Sequence, residues 1–415
     1  MAIRKRWFGR CANRWIILLL SGGAVAGVAL GVWLYPVAVP RTPSDFYQPP
    51  SPLPAGGPGD LIRQAASADN LPDGAIAWRV MYRSTDEQGK PVAVTGTVVA
   101  PEQPAASPRP VVAWAHGTTG IRPECGISHT RDPYQQTPDV AGMLAQGWVV
   151  AITDYPGLGT PGTHPYMVGR TAAHSVLDMV RAARHLDDSG AGREFVVWGA
   201  SQGGNTAFWV GQLAEEYAPE LTLKGVAASA PALNLSEIAA YNHDKPAGGI
   251  FMGMVFAAWD RVYPEADLQT ILAPEAARPF WRMVRPCFTA PAGFLPALAD
   301  LRSPDEYLRV DIMQTPPWPS LFDHNTPTGP IPVPIAIAHG TADPLIPVAL
   351  SEQEVARRCQ QGETIQLARL PGASHDARED SAGYLMGWVL DRFEGREAPD
   401  SCSMESERPK VGEGI

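Results

Sequence analysis

The chain has 415 residues, enough for one large domain or two modest ones, and its 45% apolar and 18% charged content is that of a globular protein. Acidic side chains outnumber basic ones 43 to 33, leaving a net charge of −10 with no long basic run, so nucleic acid is not an expected partner. No Cys-x-x-Cys spacing occurs, which argues against a structural zinc site.

Residues 1–14 carry Arg4, Lys5, Arg6, Arg10 and Arg14, and an apolar run over 15–36 follows. That run is long enough to span a bilayer, which takes ~20 residues, and the basic flank should stay in the cytoplasm. The rest of the chain is then expected on the far side of the membrane, anchored there or secreted. Ala24-Val25-Ala26 could serve a signal peptidase, but cleavage there would leave an apolar stub, which favours an anchor. Cys11 precedes this segment, whereas Cys125, Cys287, Cys359 and Cys402 follow it, an even number in an oxidising compartment. Two disulfides fit, and composition leaves all three pairings open.

Residues 37–59, rich in proline and glycine, read as an extended spacer, and the folded domain is expected over 60–395. Ala77–Thr85 and Pro91–Ala100 predict an antiparallel pair joined by the turn Asp86-Glu87-Gln88-Gly89-Lys90. Strands then alternate with helices: Val111–Ala115, Trp148–Thr153, Phe195–Trp198, Leu223–Ala228, Pro334–Ala338 and Thr364–Leu370 are the predicted strands. Ala173, Val176, Leu177, Val180 and Ala183 give one intervening helix its apolar stripe. Such alternation predicts a doubly wound, mostly parallel sheet. It breaks between about 231 and 330, where no parallel strand is evident and an inserted helical cap is expected. Gly248 to Phe256 is the most apolar part of that insertion, and fits equally an acyl-chain wall or the insertion's own core. Residues 396–415 read as an acidic tail.

The most informative stretch is Gly199-Ala200-Ser201-Gln202-Gly203, set between the apolar strand ending at Trp198 and a helix predicted over Gln202–Tyr217. A serine held between flanking glycines at a strand–helix turn is the nucleophile elbow of α/β-hydrolases. A serine hydroxyl needs a base, and the base needs an orienting carboxylate, in the chain order Ser, Asp, His. His339-Gly340-Thr341-Ala342-Asp343 follows one predicted strand and Ser374-His375-Asp376 another, which nominates Asp343 as the acid and His375 as the base. The backbone N–H of Gln202 and that of Thr118, in the loop His116-Gly117-Thr118 after Val111–Ala115, are the candidate oxyanion donors. Asp154 is read as structural, His116 as a brace of its loop and His339 as a partner of the Asp343 turn. His243 and His324 lie in the insertion and are read as solvated or loop residues.

His116-Gly117-Thr118, Asp154-Tyr155-Pro156-Gly157-Leu158-Gly159, Gly199-Ala200-Ser201-Gln202-Gly203-Gly204, the Asp343 turn and Ser374-His375-Asp376 together resemble the secretory lipase family of α/β-hydrolases. Phe46-Tyr47-Gln48-Pro49-Pro50 and Pro58-Gly59-Asp60-Leu61-Ile62-Arg63 extend the resemblance to roughly residues 44–395. It implies an α/β-hydrolase with a helical cap that hydrolyses triacylglycerols or simpler acyl esters without a cofactor, and a triad at Ser201, Asp343 and His375. It also implies a Cys125–Cys287 disulfide, leaving Cys359 with Cys402. Ala200 stands where the family often has an aromatic residue. The alternatives are another acyl-transfer enzyme of this fold, a peptidase or acyltransferase, and a non-catalytic binding protein of the cell envelope.

Overall fold

The computed structural model describes residues 44–134, 136–289 and 295–402. The expected basic segment 1–14, the apolar segment 15–36, the start of the spacer and the tail beyond 402 lie outside the described residues. Among the described residues no helix is long and apolar enough to cross a membrane.

Nine strands form one sheet: β1 Leu61–Ser67, β2 Ala75–Thr85, β3 Pro91–Pro101, β4 Arg109–Ala115, β5 Val149–Thr153, β6 Ala191–Ala200, β7 Thr222–Ser229, β8 Ile335–Gly340 and β9 Ile365–Leu370. Their order across the sheet is β1-β2-β3-β5-β4-β6-β7-β8-β9. From β5 to β9 every pairing is parallel, whereas β1, β2 and β3 are antiparallel additions at one edge. The expected hairpin is in register from Ala75 opposite Pro101 to Thr85 opposite Pro91. Its turn is closed by Asp86, whose carboxylate accepts the N–H groups of Gln88 and Lys90 at 3.0 and 2.8 Å, with Gly89 supplying a φ of 80°.

The central strands are apolar because both faces are covered. The helices Gly169–Arg184 and Gln202–Tyr217 lay Val176, Leu177, Val180 and Phe208 on one face, against Val111, Ala113 and Phe195. The helices Val140–Ala145 and Arg378–Phe393 cover the other, where Met143, Leu385 and Trp388 meet Trp114, Val150 and Trp198.

Between β7 and β8 the chain builds the expected cap, from helices including Leu235–Asn242, Pro246–Val262, Ala277–Val284 and Trp318–His324. It has its own core, in which Trp259 stacks on Trp318 at 6.4 Å and Phe256 meets Phe322. The apolar run Gly248–Phe256 serves both of the roles considered for it. Met254 and Phe256 enter the cap core, while Gly248, Phe251, Met252 and Val255 line a cavity that reaches Ser201. Helical periodicity divides one run between two faces.

The fold reaches further at both ends than the expected 60–395. Residues 44–59, read as spacer, pack on the domain: Tyr47 is buried, and Arg63 donates to the carbonyls of Asp45 and Phe46 at 2.8 Å each. The aromatic pair Phe46-Tyr47, placed beside prolines that suggest a linker, supplies the anchor. The start of the expected tail is also held, by the Cys359–Cys402 disulfide and by Leu367 N–H donating to Ser401 Oγ at 3.1 Å. β1 carries no clean alternation, since its place at the edge rests on backbone pairing with β2.

Candidate active site

β6 delivers Ser201 to the turn before the helix Gln202–Tyr217, and the turn holds it at φ 55° and ψ −114°. L-residues adopt such a conformation rarely, and surrounding contacts hold it here. Ser201 N–H donates to Ser229 O at 2.9 Å and its carbonyl accepts from Ala232 N–H at 3.2 Å. The flanking glycines are required by space. A Cβ on Gly199 would stand 2.0 Å from Gly203 O, and one on Gly203 would stand 1.8 Å from Ala115 O.

The loops after β8 and β9 bring Asp343 and His375 to the same sheet edge. Ser201 Oγ and His375 Nε2 are 3.0 Å apart, and His375 Nδ1 is 2.6 Å from Asp343 Oδ2. With Asp343 at Nδ1 only able to accept, that nitrogen carries the proton and Nε2 offers its lone pair to the serine hydroxyl. The three residues that the sequence nominated are thus in one hydrogen-bonded series. Asp343 Oδ1 accepts the N–H groups of Leu345 and Ile346 at 2.8 and 2.9 Å. Burial tends to raise its carboxyl, but hydrogen bonds from His339 and His375 outweigh this and hold it well below the usual carboxylate range.

The loop His116-Gly117-Thr118 lies over the elbow, so that a Cβ on Gly117 would stand 3.4 Å from Ala200 O and 3.9 Å from Ser201 Cβ. Gln202 opens its helix, where backbone N–H groups lack intrahelical partners. A layer that the sequence reading did not identify supports both candidate donors. Thr118 Oγ1 and Tyr166 OH are 2.7 Å apart, and Gln202 Nε2 lies 2.7 Å from His164 Nε2. His164 Nδ1 faces the Pro156 carbonyl at 3.0 Å and therefore carries the ring proton, leaving Nε2 to accept from the Gln202 amide. Burial pushes His164 down to about 3, so the ring is neutral in ordinary conditions. Tyr155 stacks on it with ring centroids 5.4 Å apart and donates its hydroxyl to His116 O at 3.1 Å. His164 lies outside the chemistry-bearing motifs; the only local sign was Tyr155-Pro156-Gly157 just upstream.

The competing candidates fall elsewhere. Asp154 is fully buried and accepts from Thr95 Oγ1 at 2.6 Å and Ser128 N–H at 2.9 Å, a structural set. His116 braces its own loop, with Nδ1 at 2.6 Å from Gly117 O. His324 pairs with Glu87 and bridges the cap to the β2–β3 turn. The carbonyl of His243 accepts from Asp305 N–H at 3.1 Å within the cap.

Ser201 and His375 stand where two cavities meet. One is apolar and lies under the cap, walled by Met167, Leu235, Phe251, Met252, Val255 and Phe322. The other is wider and passes Thr118, Gln136, Phe288 and Asp376. The Cys125–Cys287 disulfide and the bond from Phe288 N–H to Thr119 O at 2.8 Å fasten the cap to the loop that carries Thr118. Both implied disulfides are present.

This sheet, with its serine elbow after the central parallel strand and an inserted cap, is that of an α/β-hydrolase. The structure resembles that of Candida antarctica lipase A, with a TM-score of 0.75 and 20% identity over 88% of this chain and 89% of that one. It also resembles the rice cell wall degrading esterase of Xanthomonas oryzae, with a TM-score of 0.65 and 18% identity over 81% and 100% of the two chains. In sequence the chain is 24% identical to lipase A of Arthroderma benhamiae, over 93% of this chain and 88% of that one. It is 25% identical to a probable inactive lipase of Mycobacterium tuberculosis, over 87% and 84% of the two. Residues 134–401 match the secretory lipase family model. The chain belongs to the secretory lipase family. That membership and the two disulfides fit a protein that works outside the cytoplasm.

Proposed function

We propose that this protein is a serine carboxylic-ester hydrolase acting on acyl esters, with Ser201 as nucleophile, His375 as general base and Asp343 as its orienting acid. The observation that carries the reading is the series Ser201 Oγ–His375 Nε2–Asp343 Oδ2, at 3.0 and 2.6 Å, on a strained elbow in a chain of this family. Ser201 Oγ attacks the ester carbonyl as His375 takes its proton, and the N–H groups of Gln202 and Thr118 hold the oxyanion. The tetrahedral intermediate collapses, the C–O bond breaks, and His375 returns the proton to the departing alcohol. His375 then removes a proton from water, which attacks the acyl carbonyl; the bond to Ser201 Oγ breaks and His375 gives that proton back to the serine.

The apolar cavity under the cap suits the acyl chain, and the wider groove suits the alcohol. Triacylglycerols belong to this substrate class, as do simpler esters. The N-terminal apolar segment 15–36 serves, in this reading, as an export signal or an anchor.

The test is hydrolysis of a series of esters from short to long acyl chains, beside matched amides and an alcohol acceptor, by the wild type and Ser201→Ala. Ester turnover with a chain-length optimum, lost in Ser201→Ala by at least ~10³-fold, is expected. Preference for amides, or transfer to the alcohol in place of water, would assign the same site to a peptidase or an acyltransferase.

A further inference from the structure

We infer that His339 is a positioning residue for the hydrolysis proposed above, on which this inference rests. It shares Asp343 Oδ2 with His375, and so sets how strongly the acid holds a proton on the base.

His339 is the penultimate residue of β8, fully buried, and all of its polar capacity is used. Its Nε2 lies 2.9 Å from Ile346 O and 3.1 Å from Asp343 Oδ2, while Nδ1 lies 2.8 Å from Ser351 Oγ. A carbonyl can only accept, so Nε2 carries the proton and is shared between Ile346 O and the carboxylate. Nδ1 meets the hydroxyl of Ser351, itself buried on the helix Val348–Gln360. His339 is thereby a donor aimed at Asp343.

The carboxylate consequently has four donors. Oδ1 takes the backbone N–H groups of Leu345 and Ile346, and Oδ2 takes His375 at 2.6 Å and His339 at 3.1 Å. Two histidines on one oxygen compete for the same negative charge. Asp343 assists by stabilising the imidazolium that forms when His375 accepts a proton. Every further donor on Oδ2 draws charge away and weakens that stabilisation. His339 therefore limits how strongly Asp343 can hold the imidazolium of His375.

Other groups surround the pair. His375 faces Ser201 and Asp343, with Asp376 next in the chain and the Tyr166 phenol on the cavity wall. The helix Leu235–Asn242 reaches the acid loop through Asn242, whose Nδ2 donates to Leu345 O at 2.9 Å, and the helix Val348–Gln360 reaches His339 through Ser351. Neither side chain is charged. Among the described residues the hydrogen-bond partners of Asp343 that titrate are the two histidines.

The measurement is the pH profile of kcat/KM for ester hydrolysis, on the full protein, in wild type, His339→Leu, His339→Gln and Ser351→Ala. Loss of the N–H in His339→Leu leaves Oδ2 to His375 alone, and the acid limb is expected to move up by roughly half to one pH unit. In His339→Gln an amide N–H can take the place of Nε2–H and is expected to return most of the shift. Ser351→Ala removes the partner of Nδ1 without changing the packing of the ring, and a smaller shift of the same sign is expected; it also serves as the readout if His339→Leu does not fold. A residue that merely braced the loop would lower stability or the plateau rate and leave the limb in place. Unmoved limbs in the folded variants, with Ser201→Ala inactive, overturn this inference alone. Full activity in Ser201→Ala overturns the hydrolase reading and this inference with it.

Discussion

Ser201 at φ 55° is stable only because nothing larger than hydrogen stands at Gly199 and Gly203. The local argument is strict: the Cβ of Gly203→Ala would lie 1.8 Å from the Ala115 carbonyl oxygen, which belongs to β4, a strand paired on both sides that cannot retreat. Gly203→Ala is therefore expected to lose at least ~2 kcal/mol of stability, as overpacking of a tight site does, and most of the hydrolytic rate. Thermal melting beside an ester assay checks both; a variant with wild-type melting and rate would show that the elbow tolerates a Cβ. Ser201, Asp343 and His375 were legible in the sequence because each sits in a glycine-marked turn directly after an apolar strand. His164 lies in a loop, where no period or spacing signals that its ring will end beneath Gln202. The involvement of His339 with the Asp343 turn was legible from the His-Gly turn, but its shared bond to Oδ2 was not, since chain proximity does not say which oxygen is reached.

Among the elements, the cap is held to the domain by bonds such as Trp259 Nε1 to Tyr166 O at 3.1 Å and Asn242 Nδ2 to Leu345 O at 2.9 Å, and by one disulfide. Its helices share an aromatic core around Trp259 and Trp318, and Cys125–Cys287 links that body to the loop after β4 across 162 residues of chain. A loop of that size makes the disulfide worth about 5 kcal/mol in the chain-entropy model. The double variant Cys125→Ser/Cys287→Ser is expected to melt lower and to lose kcat through the loosened Thr118 loop; unchanged melting and kcat would show the cap to be held without it. The cap was legible as a break in strand–helix alternation, since helices are required where parallel strands stop. β1 and the packed segment 44–59 were not, because an edge strand held by backbone bonds and an anchor flanked by prolines carry no apolar period.

For the molecule as a whole, buried neutral histidines set the response to acid. His164 titrates at about 3 when folded, from burial, against ~6.5 when unfolded. Between those values the unfolded chain binds more protons than the native one, so stability rises with pH through the window and is lost as pH falls from about 6.5 towards 3. His116 and His129 are lowered in the same direction, by burial first, and add to the slope. Urea midpoints between pH 7 and pH 4 are expected to fall steadily in the wild type and less steeply in His164→Asn; parallel slopes would place the acid sensitivity elsewhere.

The central claim is that Ser201 is the nucleophile, and it can be read directly. A fluorophosphonate reacts with an activated serine hydroxyl, forming an O–P bond and releasing fluoride, and the modified residue can be located by mass spectrometry of the digested protein. The account predicts one phosphonyl group per chain, on the peptide containing Ser201, with ester hydrolysis lost in step and no label in Ser201→Ala or His375→Ala. Stoichiometric label on another residue, or full hydrolysis by a protein whose Ser201 is modified, would contradict it.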